Sequence, residues 1–204
     1  MTADHARETK ADLRALVRVR LRDLTGHARA RLSQAACDQA LAWAPLTRAG
    51  CVLAYAPMPS EVNVEPLIES LLARGVCVCI PRVDWDAGTI VPVRVTDLLA
   101  DLTVVEHGVR QPRETLPAVG MEQIQAIVVP AVAFDLTGGR LGRGGGFYDR
   151  VLGGRARPGL VLGVGFEAQI VDEIPMEGHD QRVDALATPA RLIEFGAARA
   201  ATEE

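Results

Sequence analysis

The chain has 204 residues, of which 49% are hydrophobic, 24% charged and only 4% aromatic. That is enough for one core without disulfide or metal staples, built from Val, Leu, Ala and Ile rather than from rings. A formal net charge of −4 argues against a general polyanion binder such as nucleic acid. No run reaches the ~18 apolar residues a membrane span needs.

The start, Met1 to Lys10, is polar and has no apolar signal region, so a cytoplasmic protein is expected. Residues 9–19 predict a helix with Leu13, Leu16 and Val17 on one face. Thr25 or Gly26 breaks it, and a second helix follows over 28–43, stopped before Pro45. Across this region Lys10, Arg14, Arg18, Arg20, Arg22, Arg29 and Arg31 meet only Asp12 and Asp23. These cations are either a solvated face or include one or two that reach an anionic ligand.

The period then changes. Residues 51–56 read as an apolar strand stopped by Pro57 and Pro59, 62–73 as a helix closed by Gly75, and 76–80 as a second strand followed by Pro81. Strand, helix, strand within ~30 residues is the unit of a parallel sheet. Residues 89–95 suggest an edge strand because Pro92 interrupts them, and 97–121 read as loops and turns. The apolar run 126–132 is a strand with a bulge or an end at Pro130. A glycine-rich segment (138–146), a short helix (147–152), a strand (160–166) and a final strand (191–195) complete the chain. The expected fold is one α/β domain over 1–204. Its open, mainly parallel sheet is covered by helices on both faces and carries an N-terminal helical pair.

The cysteines are Cys37, Cys51, Cys77 and Cys79. They form no C-x-x-C and have no histidine cluster beside them, which argues against zinc. Cys77 and Cys79 alternate in an apolar run and read as small buried hydrophobes on one face of a strand.

Chemistry concentrates in Gly139-Arg-Leu-Gly-Arg-Gly-Gly-Gly-Phe-Tyr-Asp-Arg150. Glycines let backbone N–H groups approach an anion, the following helix presents its positive end, and Arg140 and Arg143 can grip phosphate oxygens. The segment is not a P-loop, since no Lys-Ser or Lys-Thr follows the glycines, and not a dinucleotide fingerprint, since Phe147 stands where a glycine is needed. Phe147, Tyr148 and Asp149 place two rings and a carboxylate beside the cradle. A ring can stack on a flat heterocycle, and a carboxylate next to a polyphosphate suits Mg²⁺.

This motif resembles that of 5-formyltetrahydrofolate cyclo-ligases, also called methenyltetrahydrofolate synthetases. The resemblance extends from Lys10 and Arg14 through Met58-Pro-Ser-Glu61-Val-Asn63 and Ile80-Pro-Arg82. It continues to Gly163-Val-Gly-Phe166 and His179-Asp-Gln-Arg-Val-Asp184. It implies ATP and 5-formyltetrahydrofolate, with or without a polyglutamate tail, as substrates, Mg²⁺ as cofactor, and a monomer. Lys10 and Arg14 would contact ATP, with Ala11, Asp12 and Leu13 lining the same turn. Arg140, Leu141, Gly142, Arg143, Gly144, Gly145, Gly146, Phe147 and Tyr148 would wrap its phosphates and adenosine. Ala56 and Glu61 would contact the folate, Arg143 and Tyr148 would serve catalysis, and Asp149 and Asp184 would hold Mg²⁺. Some members carry Lys where Gly145 stands, and Tyr where Phe147 stands.

Other readings remain open on the residues alone. Glu61 could be a first-turn acid before a helix, and Asp180 and Asp184 a solvated pair. A sugar-phosphate isomerase or a CoA transferase could share the layout, with Glu61 as its working carboxylate. A folate- or nucleotide-binding module without turnover is a third possibility, and nucleic-acid binding through the N-terminal arginines a fourth.

Overall fold

A strand buried on both faces is apolar at every position, and three segments here meet that condition. β1 (Cys51–Leu53), β6 (Ala126–Val129) and β11 (Ala185–Ala187) are buried throughout. A computed structural model describes residues 3–105, 108–154 and 159–195, with side chains from Thr9 onward. In it these strands lie inside a seven-stranded sheet with β2 (Cys77–Asp84), β3 (Thr89–Val95), β9 (Leu160–Val164) and β12 (Leu192–Glu194). The order is β12-β11-β9-β6-β1-β2-β3. From β11 to β2 every neighbour is parallel, and β3 and β12 close the two edges in antiparallel register. The expected edge strand with Pro92 is therefore β3, where Pro92 stands opposite Pro81 of β2.

Helices cover one face heavily. They are α1 (Ala3–Arg22), α2 (Gly26–Ala42), α3 (Ala44–Arg48) and α4 (Glu65–Ala73). Thr25 caps α2 by accepting the Ala28 amide at 3.3 Å, a local bond that explains the break after α1. In α2, Ser33, Ala36, Cys37 and Ala40 are buried, spaced as one stripe of a helix. In α4 Leu67, Ile68 and Leu71 do the same. Apart from Ser33, these residues join Val52, Val78, Val128 and Leu162 in one apolar layer. The opposite layer holds Cys51, Leu53, Ile127, Val129 and Leu186, closed by Val151 and Leu152 of α5 (Phe147–Leu152) and by Phe134. Among the described residues no helix is long and apolar enough to cross a membrane.

One of two expected alternatives is met at Pro130, and one segment departs from the sequence reading. The run 126–132 ends as a strand at Val129, just before Pro130. The chain re-forms as β7 (Ala133–Asp135), which pairs antiparallel with β8 (Arg140–Leu141) and parallel with β10 (Ile170–Val171). Residues 97–121 are not only turns, since β4 (Leu102–Val104) and β5 (Arg110–Pro112) form a small antiparallel pair.

The β7–β8 turn is organised by one carboxylate. Asp135, 1% exposed, accepts the Thr137 amide at 2.8 Å, the Thr137 hydroxyl at 2.7 Å and the Gly139 amide at 2.8 Å on Oδ1. Its Oδ2 accepts the Ile174 amide at 3.0 Å. Burial opposes its ionisation, but these four donors outweigh burial and hold its carboxyl below the usual value. A side chain at Gly139 is excluded, because its Cβ would lie 2.2 Å from Asp135 Oδ2. The hairpin thereby delivers Arg140 and the glycines after it to a fixed place.

Candidate active site

Parallel strands end on one edge of a sheet, and the loops leaving them frame a crevice. Here that crevice is a cavity of about 620 Å³. Part of its lining is apolar: Tyr55, Ala56 and Met58 after β1, Pro81 and Val83 on β2, and Ile90 on β3. The rest is cationic and glycine-rich: Lys10 and Arg14 from α1, Arg140 and Leu141 of β8, and the loop from Gly142 to Gly146 that opens α5. Tyr148 and Asp149 line it from the first turn of α5.

The glycine loop needs glycine at two points. Gly144 has φ 110° and Gly146 φ 66°, conformations costly for residues with a Cβ. Arginines brace the loop. Arg14 Nε donates to the Gly142 carbonyl at 2.9 Å and Arg150 Nη2 to the Gly145 carbonyl at 2.7 Å. Because α5 has only six residues, the loop's own amides and the guanidiniums, rather than a helix dipole, carry its anion-binding capacity.

Three of the cations lining the cavity, Lys10, Arg140 and Arg143, already have carboxylate partners. Lys10, 8% exposed, lies 2.6 Å from Asp180 and 3.2 Å from Glu177. Burial opposes the ionisation of Asp180, but the Glu177 amide and Lys10 outweigh it and keep its carboxyl low. Arg140, 4% exposed, holds Asp149 at 2.5 Å and stacks over the Tyr148 ring at 5.7 Å. Its Nε is buried without a hydrogen-bond partner, a donor such a site leaves for an incoming oxygen. Arg143 crosses to the loop before α4, donating to Glu61 at 3.1 Å and to the Ser60 hydroxyl at 2.8 Å.

Glu61 also accepts the Met58 amide at 2.9 Å. Burial raises its carboxyl above the usual value, and the Met58 bond and Arg143 only partly counter that. The Tyr148 phenol is likewise raised by burial and then by the charge of Glu61, against Arg140. Raised in this way, it stays protonated at neutral pH.

Most residues expected from the motif therefore converge: Lys10, Arg14, Ala56, Glu61, Arg140 and every position from Leu141 to Asp149 line the cavity. Four do not. Ala11 and Asp12 are exposed and Leu13 packs into the core. The Asp184 carboxylate accepts the Val161 amide at 2.8 Å at the start of β9 and is not among the lining residues of the cavity. In its place the structure brings Glu177, His179 and Asp180, with His179 within 3.7 and 3.8 Å of the two acids. The His179-Asp180 pair stood in the sequence motif, but nothing local marks Lys10 as its partner. Trp85, 52% exposed, packs edge-on against Phe147 at 5.4 Å and belongs to the rim.

Residues 6–189 match the 5-formyltetrahydrofolate cyclo-ligase family. The chain is 39% identical over 145 residues to the 5-formyltetrahydrofolate cyclo-ligase of Mycolicibacterium smegmatis, covering 70% of this chain and 75% of that protein. It is 28% identical to that of Escherichia coli, covering 88% of this chain and 100% of the other. The 5,10-methenyltetrahydrofolate synthetase structure from Aquifex aeolicus superposes with a TM-score of 0.78 at 31% identity, over 93% of this chain and 94% of that one. The chain belongs to the 5-formyltetrahydrofolate cyclo-ligase family. Against the family motif, its glycine at 145 has a local reason: a Cβ there would lie 2.7 Å from the Phe147 ring. A lysine at 145 would require that ring to move.

The environment of Glu61 gives a pH-dependent outcome. With its carboxyl raised above 4.5 in the folded state, its contribution to stability is fully present below that value. It is lost as pH rises through the folded value. Glu61→Gln removes this loss, so its stability relative to wild type should increase between pH 4 and pH 7. Denaturant unfolding of both proteins at the two pH values measures this, and a pH-independent difference contradicts the buried environment.

Proposed function

We propose that this chain cyclises 5-formyltetrahydrofolate to 5,10-methenyltetrahydrofolate while ATP is converted to ADP and phosphate. The supporting observation is the meeting, in one cavity, of a cationic glycine loop and an apolar lining, with Tyr148 joining them. Small-molecule sites span roughly 300–1,000 Å³, and about 620 Å³ suits a pterin beside a terminal phosphate. The bulk of both substrates then extends toward solvent.

The formyl oxygen on N5 attacks the γ-phosphorus, ADP leaves, and an iminium phosphate forms. N10 then attacks the formyl carbon, and loss of phosphate closes the ring. Neither step needs a protein nucleophile. What they need is placement and charge neutralisation on oxygens. Arg143 and the amides of Gly144, Gly145 and Gly146 hold the terminal phosphate, while Arg140 turns its unpartnered Nε to an adjacent oxygen. Lys10 and Arg14 hold the remaining phosphates. The Glu61 carboxylate accepts N–H groups of the pterin, whose flat ring lies against Ala56 and Met58, and the Tyr148 hydroxyl donates where the two substrates meet. A monomer working in the cytoplasm belongs to the same reading.

Mg²⁺ is bound by few protein groups when a polyphosphate supplies other oxygens. Asp149, a lining carboxylate next to the glycine loop, fits that demand more directly than Asp184, which accepts the Val161 amide and is not among the lining residues. Asp149 would hold the ion, which neutralises charge on the transferred group. Its present partner Arg140 would then turn to phosphate oxygens.

The assay is formation of the methenyl product, followed by near-ultraviolet absorbance with ATP and Mg²⁺ present. Arg143→Ala should lower kcat by ~10²-fold or more, the cost of removing one donor to developing oxygen charge. An unchanged kcat removes Arg143 from the chemistry. Asp149→Ala should shift the Mg²⁺ concentration for half-maximal rate upward, and a titration identical to wild type refutes its role. No product from the wild-type protein would overturn the whole reading.

A further inference from the structure

Away from the cleft, the sulfurs of Cys51, Cys77 and Cys79 all lie within 4.8 Å of one another, with Cys51 and Cys79 3.9 Å apart. The arrangement is a product of topology. Cys51 opens β1, Cys77 opens β2, and the two are register partners across this parallel pair. Cys79 follows two residues later and so shares the face of Cys77. All three join the apolar layer on the α5 side of the sheet. The cleft is framed by what comes later on the same strands, Tyr55 after β1 and Pro81 within β2.

The spacing is informative. Sulfurs bound to one ion at about 2.3 Å are about 3.8–4.0 Å apart in tetrahedral or trigonal geometry. A disulfide needs about 2.05 Å. Cys51 and Cys79 thus stand at the separation of co-ligands. Among the described residues no His, Asp or Glu joins the group. Structural zinc takes four protein ligands, whereas three sulfurs alone suit a soft ion that accepts trigonal coordination.

We propose that Cys51, Cys77 and Cys79 form a tris-thiolate site for a soft monovalent cation of the Cu(I) class. Cys77 is half-buried and provides the way in. Arg94 stands opposite Cys79 on β3, and its cation offsets part of the negative charge that three thiolates would leave around one monovalent ion. Burial pushes the Cys51 thiol up to about 11 and Cys79 higher still. Binding exchanges up to three thiol protons for one ion, and uptake therefore strengthens as pH rises. Cys37 is a built-in control: it is buried in the other apolar layer, its thiol directed to the Asn63 carbonyl at 3.4 Å.

The test is an anaerobic competition in which the reduced full-length protein withdraws Cu(I) from a chromophoric chelator. Wild type and Cys37→Ser should each withdraw one equivalent, more strongly at pH 8 than at pH 6. Cys77→Ser and Cys77→Ala, chosen because this site is partly exposed, should bind more weakly by more than the ~10–100-fold that outer-shell changes cost. Thermal melts of both variants confirm folding. The site is overturned if wild type withdraws no copper, if either folded Cys77 variant competes as well as wild type, or if only Cys37→Ser loses uptake.

Discussion

The placement of the glycine loop depends on a single buried carboxylate. Asp135 collects three backbone amides and one hydroxyl, and hydrogen bonds to a charged acceptor are worth about 1.5–3 kcal/mol each. Those bonds close the turn between β7 and β8, draw the segment at Ile174 against it, and leave no room for a side chain at Gly139. Without that turn Arg140 would not be buried beside Asp149, and residues 142–146 would leave β8 in no defined direction. A flexible glycine segment becomes a fixed cradle because its root is rigid.

The same logic governs charge. Three cations in the cleft are poised against acids: Lys10 on Asp180 and Glu177, Arg140 on Asp149, Arg143 on Glu61. Burying such cations unpaired would cost several kcal/mol each, so the acids let the empty site fold with its cations in place. A polyphosphate can then displace or share those partners. Arg143, with 48% of its side chain exposed, is the least confined of the three, which suits the role proposed for it. Arg140, 4% exposed and lying over the Tyr148 ring, has less room and can only exchange partners locally.

Much of this was legible in the residues. The all-apolar runs at β1 and β6 announced a buried parallel sheet, Pro92 announced an edge, and the glycine motif named the polar, anion-binding side of the cleft from Arg140 to Asp149. What was hidden depends on distance or on a change of sheet. Pro130 marked the end of the strand at 126–129, but nothing in the period of the run reveals that the chain enters another sheet at Ala133. Lys10 meets Asp180 across 170 residues, a pairing that only the packing of α1 creates. Asp184 sits in the same motif as Asp180, yet the chain turns between them and spends its carboxylate on β9. Cys51 joins Cys77 and Cys79 only because β1 and β2 are neighbours in register, which spacing along the chain cannot express.

The most direct measurement of the central claim is a crystal structure with a non-hydrolysable ATP analogue and Mg²⁺. The terminal phosphate should lie within hydrogen-bonding distance of the amides of Gly144, Gly145 and Gly146 and of Arg143, with the Asp135 bonds unchanged. A nucleotide bound elsewhere, or a loop that stays clear of its phosphates, would contradict the account.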